Sequence, residues 1–123
     1  MNKILFAFLA ISAAASLAYA GDWEFLYQSA DIGYSVYGNS LGDPTAPSND
    51  DKKIAFAVKG KAAREIFEAI GPDKKDSCSQ EPGVRFRSKD DEKIIYTKDR
   101  KGIYACYFGF DLKSGKSIGG SIC

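Results

Sequence analysis

Apolar and polar residues alternate in four stretches of the chain, as they do along half-buried β-strands. The first is DIGYSVYG, in which Ile32, Tyr34 and Val36 fall on one face. The other three are KIAFAVKG, GVRFRSK and IYACYFGFDL. The residues that share a face in these three stretches are, in turn, Ile54, Phe56 and Val58; Val84 and Phe86; and Tyr104, Cys106, Phe108, Phe110 and Leu112. The pattern predicts four strands.

Three further stretches are predicted to be strands from their composition and position. KIIYTK (Lys93 to Lys98) and the terminal KSIGGSIC are apolar enough to pair with the long strand that precedes or follows them. DWEFLYQS has weaker alternation and is predicted to be an additional strand. The polar stretch NSLGDPTAPSNDDKK (Asn39 to Lys53) has two prolines and several turn-forming residues, which predicts an exposed loop within the domain.

One stretch, KAAREIFEAIGPD, has helical periodicity instead. Its apolar residues recur every three or four positions and form one stripe, and Gly71-Pro72 follows as a stop signal. The stripe consists of Ala62, Ala63, Ile66, Phe67 and Ile70. Together these elements predict an α+β fold, in which one amphipathic helix packs on a face of a small antiparallel, meandering sheet of about five or six strands.

The N-terminus has the layout of a secretory signal peptide. Lys3 supplies a positive charge, residues 4–17 are uncharged and mostly apolar, and Ala18-Tyr19-Ala20 fits the cleavage rule. The alternative readings are a buried core helix and a retained membrane anchor, but the apolar run is short for a membrane span. We therefore expect cleavage after Ala20, a single domain over residues 21–123, a periplasmic or secreted location, and no stable membrane insertion of the mature chain.

Charge argues against some partners. The chain has 17 basic and 16 acidic residues, and the predicted leader contains one lysine and no acid. The mature chain is thus predicted to be neutral overall. Nucleic acids and anionic membrane surfaces usually bind basic proteins, so neither is an expected partner.

Three cysteines, Cys78, Cys106 and Cys123, allow three single disulfide pairings, and an oxidising compartment favours forming one. A two-residue turn at Ser114-Gly115 would place Cys106 opposite Cys123, Phe110 opposite Gly119 and Phe108 opposite Ser121, which favours the Cys106–Cys123 pairing. The alternative, Cys78–Cys123, closes a longer loop and leaves Cys106 as a buried thiol. With the favoured pairing, the odd cysteine is Cys78, which either forms a covalent dimer or a mixed disulfide, or has no role.

The sequence offers little that suggests catalysis. It contains no histidine, the commonest general base and transition-metal ligand. Acidic residues cluster in two lysine-rich turns, where charges are usually solvated, and the acidic loop lacks the ordered spacing of a calcium site. The acidic residues are Asp43, Asp50 and Asp51 in one loop, where Asn49 adds an amide oxygen that could contact calcium, and Asp90, Asp91 and Glu92 in the other. We expect no catalytic or metal-binding residue and no cofactor.

Aromatic and basic residues are the candidates for binding. Tyr and Trp dominate interface hot spots, although the same residues also fill small cores. The aromatic candidates are Trp23, Tyr27, Tyr34 and Tyr37. Arg85 and Arg87 share a strand face that could receive an acidic partner, or could simply be the solvated face of the sheet.

Three functions are compatible with these features. The first is a non-enzymatic exported protein that binds another envelope or secreted protein, such as an enzyme that it inhibits or neutralises. The second is a module that binds a small ligand or a metal. The third, which the solvated acidic turns favour least, is a hydrolase with a carboxylate pair.

Overall fold

The computed structural model describes residues 22–75 and 79–122. The predicted leader (residues 1–20), Cys78 and Cys123 lie outside the described residues. The described chain forms seven strands and one α-helix. Their bounds are β1 Asp31–Ser40, β2 Asp43–Thr45, β3 Lys53–Lys59, α1 Lys61–Ala69, β4 Arg85–Lys89, β5 Ile94–Lys98, β6 Tyr104–Asp111 and β7 Ser117–Ile118.

The strands form one open antiparallel sheet in the order β2-β1-β3-β6-β5-β4, with β7 also paired to β6. The predicted α+β class is confirmed, as is the pairing of β5 and β7 with the long strand β6. The sheet is not one continuous meander, because β3 and β6 pair at its centre. Helix α1 carries the chain away from β3, and β4 and β5 then form the far side of the sheet.

Two predictions about irregular segments need correction. Residues 22–30 form no strand, because they pair with no neighbour in the described part of the chain. The predicted loop between Asn39 and Lys53 contains the short strand β2 and an isolated bridge between Ser48 and Asp51. Asn39 adopts a positive φ of 63° next to the turn that joins β1 to β2.

On the helix side, the core lies between α1 and one end of the sheet, and Phe86, Ile95 and Ala105 are buried on the other face. Ala63 and Phe67 are the buried residues of the helix, as its apolar stripe predicts. They pack against three strands through Val58, Tyr96 and Cys106. The Phe67 ring is 1% exposed, and its centroid lies 5.4 Å from that of Tyr104 in an edge-on arrangement.

The C-terminal segment after β7 crosses the opposite face of the sheet. Shallow depressions on that face are lined by Ala55, Ala57 and Tyr107 together with Ser121, and farther along by Tyr37 together with Ile122. Gly120 passes so close to β6 that a Cβ there would lie 2.6 Å from the backbone nitrogen of Phe108. Gly120 thus packs directly against the backbone of a strand.

The hairpin between β6 and β7 has a different register from the predicted one. Phe110 faces Ser117 and Gly109 faces Ile118, which is a shift of two residues. The Asp111 carboxylate accepts hydrogen bonds from the backbone N–H groups of Lys113 (2.9 Å) and Ser114 (3.1 Å). This carboxylate stabilises a longer turn, so the hairpin closes at Asp111 and not at Lys113.

Cys106 is a free thiol in the structure and is 2% exposed. Burial raises the pKa of this thiol to about 11, so it stays protonated near neutral pH. The register that favoured its pairing with Cys123 is not the observed one, so that argument fails. The Cys78–Cys123 pairing involves two residues outside the described chain and stays a prediction.

Candidate binding surface

Half of the sheet face that carries α1 is left without a helix. A nine-residue helix is about 14 Å long, whereas an eight-residue strand such as β6 extends for about 26 Å. Beyond the helix, the same face continues with apolar side chains. We call this region the open apolar face; it consists of Ile32, Tyr34, Val36, Ile54, Phe56, Phe108 and Phe110.

Strand register aligns these residues in rows. Tyr34 faces Phe56, which faces Phe108 on the next strand. The next row along the strands is Val36, Ile54 and Phe110. Residues that are directly opposite on antiparallel strands project to the same side of a sheet, so two complete rows of large apolar side chains lie together.

The phenylalanine rings on this face support one another. The centroids of Phe56 and Phe108 lie 5.2 Å apart in a stacked arrangement, and Phe110 packs edge-on against both rings, at 6.4 Å and 6.2 Å. Toward the edge of the sheet, Tyr34 is 71% exposed. Ile32, Val36 and Phe110 are also exposed, whereas Ile54, Phe56 and Phe108 are half-buried. A contiguous apolar patch with exposed residues marks an interaction surface more often than isolated exposed residues do.

A second group of exposed aromatic residues precedes β1. Residues 22–30, which we call the N-terminal arm, run beside the first turn of α1, where Leu26 and Tyr27 line a depression with Lys61 and Glu65. Trp23 is 81% exposed and Tyr27 is 94% exposed. The rings of Phe25 and Tyr27 contact each other edge-on, with centroids 5.2 Å apart. The arm therefore presents a large apolar surface to solvent.

The four aromatic candidates from the sequence are thus divided. Trp23 and Tyr27 lie on the N-terminal arm and Tyr34 lies on the open apolar face. Tyr37 is buried, at 6% exposure, on the opposite face of the sheet, and burial raises the pKa of its phenol. Its ring is not accessible to a partner.

Arg85 and Arg87 do not lie on a solvated face of the sheet, because their side of β4 faces α1. Both guanidinium groups lie over the Phe67 ring, with Cζ 5.2 Å (Arg85) and 4.1 Å (Arg87) from its centroid. Both also pair with Asp73, at 2.8 Å and 2.7 Å, and Arg87 donates to the Phe67 carbonyl. These contacts hold the end of the helix on β4, and both guanidinium groups already have an acidic partner, Asp73, within the chain.

The pairing with Asp73 makes stability depend on acid pH. Hydrogen bonds from Arg85 and then Arg87 lower the pKa of Asp73 to about 2. A carboxyl with a depressed folded-state pKa stabilises the protein above its unfolded pKa of about 4, and this contribution is lost as pH falls toward 2. The carboxylate is partly exposed, so we expect Asp73→Asn to cost about 1 kcal/mol at pH 6 and only a small fraction of that near pH 2, where the folded-state carboxyl is about half protonated.

Urea unfolding at pH 6 and pH 2 would measure this difference. Arg85→Gln is the matched variant, because it removes one partner of the same carboxylate. If the two single changes and their combination are additive at pH 6, Asp73 and Arg85 do not interact and the interpretation is wrong.

The acidic turns have structural roles in the described residues. The Asp51 carboxylate binds Lys53 Nζ and accepts a hydrogen bond from the Asn39 N–H at 2.7 Å, and these two contacts lower its pKa. A general acid needs a raised pKa, so this carboxyl is not poised for that role. Asp90 and Asp91 have positive φ in the turn between β4 and β5. In residues 22–75 and 79–122, no three His, Cys, Asp or Glu side chains are placed to hold a metal ion.

Sequence reasoning identified Tyr34 but not the rest of the open apolar face. The alternating pattern places Ile54, Phe56, Phe108 and Phe110 on strand faces, but it does not show which of them the helix leaves uncovered. The relative lengths of the predicted elements could have revealed these residues, because the apolar stripe of one short helix cannot cover three long alternating strands.

Comparison of the chain with protein-family models, with curated proteins and with solved structures gave no match. Within the described ranges, no helix is both long enough and apolar enough to cross a membrane.

Proposed function

We propose that this protein is a non-enzymatic binding protein whose partner is another protein of the cell envelope or its surroundings, in the manner of an inhibitor or immunity protein. The observation that carries the proposal is the open apolar face, where stacked rings and an exposed Tyr34 lie on strands and not on loops. The predicted signal peptide supplies the location. The proposal does not involve nucleic acid, a cofactor or a membrane surface.

The chemistry of the face suits a protein partner. Binding energy at protein interfaces comes mainly from a few aromatic residues that are buried on association. Rings that are already packed against one another lose little side-chain freedom on binding, so less free energy is spent on ordering them. The open apolar face is also broad and shallow, whereas small-molecule sites are concave.

A photo-reactive residue at position 34 would test the proposal. We would replace Tyr34 with p-benzoylphenylalanine in cells that export the protein, irradiate them, and identify the adducts by mass. The control position is Lys101, which is exposed in the loop before β6. We expect a single heterologous adduct from position 34 and none from position 101.

The identified partner would then be purified and its affinity measured directly. Because Val36 lies on the face and is partly exposed, Val36→Lys is expected to raise the Kd at least about tenfold without unfolding the protein. Lys101→Ala should leave the Kd unchanged. If position 34 yields no heterologous adduct, or if Val36→Lys binds as tightly as the wild type, the proposal is wrong.

A small-ligand site is the second candidate, and one cavity favours it. A cavity of about 450 Å³ lies at the start of α1 and is lined by Lys61, Arg64, Ile103 and Tyr104, together with two glycines. This volume is in the range of small-molecule sites. Melting temperatures measured with anionic cell-wall fragments would test this cavity, and flat curves would rule these ligands out.

A further inference from the structure

The outer edge of β1 has no partner along most of its length. β3 pairs with the inner side of Asp31–Tyr37, whereas β2 pairs with the outer side only from Gly38 to Ser40. In the described chain, no strand pairs with the outer side of Asp31–Tyr37. Its backbone N–H and C=O groups are therefore available to another strand.

The other edges of the sheet are protected, but this one is not. Natural proteins protect edges with lysine, proline, short strands or covering segments. The β4 edge carries Arg85, Arg87 and Lys89, and the N–H of Lys74 already donates to the Phe86 carbonyl at 2.8 Å. The β2 edge is three residues long and contains Pro44. The free part of β1, by contrast, has one charged residue, at its first position, and no proline.

We propose that two copies of this chain associate by antiparallel pairing of their β1 edges about a two-fold axis at Tyr34. The free edge has seven positions, bounded by Asp31 and by the start of β2 pairing at Gly38. A two-fold axis pairs each position with its mirror position, so only an axis at Tyr34 uses all seven positions. A two-fold axis at any other residue would either leave some of the seven positions unpaired or make the second copy collide with β2.

This register is also chemically self-complementary. Ile32 of one copy faces Val36 of the other, and Tyr34 faces Tyr34, so large apolar side chains meet on one side of the sheet. Gly33 faces Ser35 on the other side, where both residues are small. The two Asp31 carboxylates lie at opposite ends of the ladder, so no like charges are directly opposed.

Pairing of the two β1 edges alone would bury too little surface for a stable interface. The N-terminal arms supply the additional buried area. Stable interfaces bury about 800 Å² per partner. The ladder ends where the N-terminal arm of the partner begins. That arm therefore lies beside the β1–β2 hairpin of the first copy. The arm carries four large exposed apolar side chains, at 69–94% exposure, which are Trp23, Phe25, Leu26 and Tyr27. Since each buried aromatic side chain contributes about 150–250 Å², the arms and the ladder together reach the required size.

The assembly would join two open apolar faces into one surface. A two-fold axis perpendicular to the sheet keeps both faces on the same side, so that each copy contributes Ile32, Tyr34 and Val36 to the centre of a continuous sheet. This inference goes beyond the proposed function, because the joined face remains accessible to a different protein.

The test uses the purified full mature chain with p-benzoylphenylalanine at position 34, as an equal mixture of ¹⁵N-labelled and unlabelled protein. We expect irradiation to give an adduct of twice the chain mass, with half of it isotopically mixed and the crosslink mapped to residues 31–37 of the second copy. Sedimentation should show the unmodified chain approaching twice its monomer mass as concentration rises.

Ser35→Lys is the discriminating variant, because it adds an edge-protecting lysine on the side of β1 away from the open apolar face. We expect it to weaken self-association at least tenfold, while Gln80→Lys, which adds the same charge at an exposed loop position, has no effect. Crosslinks to Phe56 or Phe110 of the second copy would overturn the inference in favour of face-to-face packing. A concentration-independent monomer, or unchanged association of Ser35→Lys, would also overturn it. None of these outcomes depends on whether a heterologous partner is found.

Discussion

Replacing Phe67 with alanine is expected to lower the free energy of unfolding by about 3–5 kcal/mol, because truncation of a large buried aromatic side chain leaves a cavity. Phe67 is the largest side chain that the helix places in the core, and it also contacts Tyr104 and both arginine side chains over its ring. Its loss removes all of these contacts at once. Urea unfolding followed by far-UV circular dichroism would measure the change.

Phe25→Ala is the matched control for this experiment. It removes the same ring from the N-terminal arm, where the side chain is mostly exposed. We expect a change of less than about 0.5 kcal/mol in dilute protein, as for other surface substitutions. Equal losses for Phe25→Ala and Phe67→Ala would show that the helix does not form the core.

Replacing Gly120 with alanine is expected to cost about 3 kcal/mol, a loss typical of severe overpacking. The added Cβ would lie 2.6 Å from both the backbone nitrogen and the carbonyl carbon of Phe108, and closer still to its carbonyl oxygen. The central strand β6 cannot move to relieve this clash, because β3 and β5 pair with it along both of its edges. The C-terminal segment must therefore leave the sheet, which exposes the Tyr37 side of the sheet to solvent.

The neighbouring residue provides the control. A Cβ at Gly119 has no atom nearer than 3.7 Å, so Gly119→Ala should change stability by less than about 0.5 kcal/mol. Hydrogen exchange at the Tyr37 amide region should increase in Gly120→Ala and not in Gly119→Ala. Similar stability in the two variants would mean that the segment does not contact β6 as described.

The sequence was sufficient to predict the elements whose residues have a local period. The stripe around Ala63 and Phe67 predicts α1, and the alternation around Phe56 and Phe108 predicts β3 and β6. How these elements assemble depends on contacts between residues that are distant in the sequence, which a local periodic pattern does not reveal. The central β3–β6 pairing joins distant segments, and the β6–β7 register depends on one carboxylate, Asp111, which accepts two backbone hydrogen bonds in the turn.

For the same reason, the sequence predicted only some of the residues of the candidate binding surface. Tyr34 and Tyr37 are equally apolar, but they are three positions apart on one strand and therefore point to opposite faces. The sequence does not show which face of the sheet the helix packs on, or how far along that face the helix extends. Arg85 and Arg87 illustrate the same limit, since their strand face is the one on which the helix packs.

The position of β6 has a consequence for when the protein can fold. This strand occupies the middle of the sheet but comes late in the chain, and its first contact with β3 joins Lys59 to Ala105. A nascent chain therefore cannot close its sheet until residues 104–111 have been synthesised. Folding that depends on such distant pairings takes milliseconds to seconds, which leaves an extended chain available for transport before it becomes compact. This order of events suits a protein whose N-terminus predicts export.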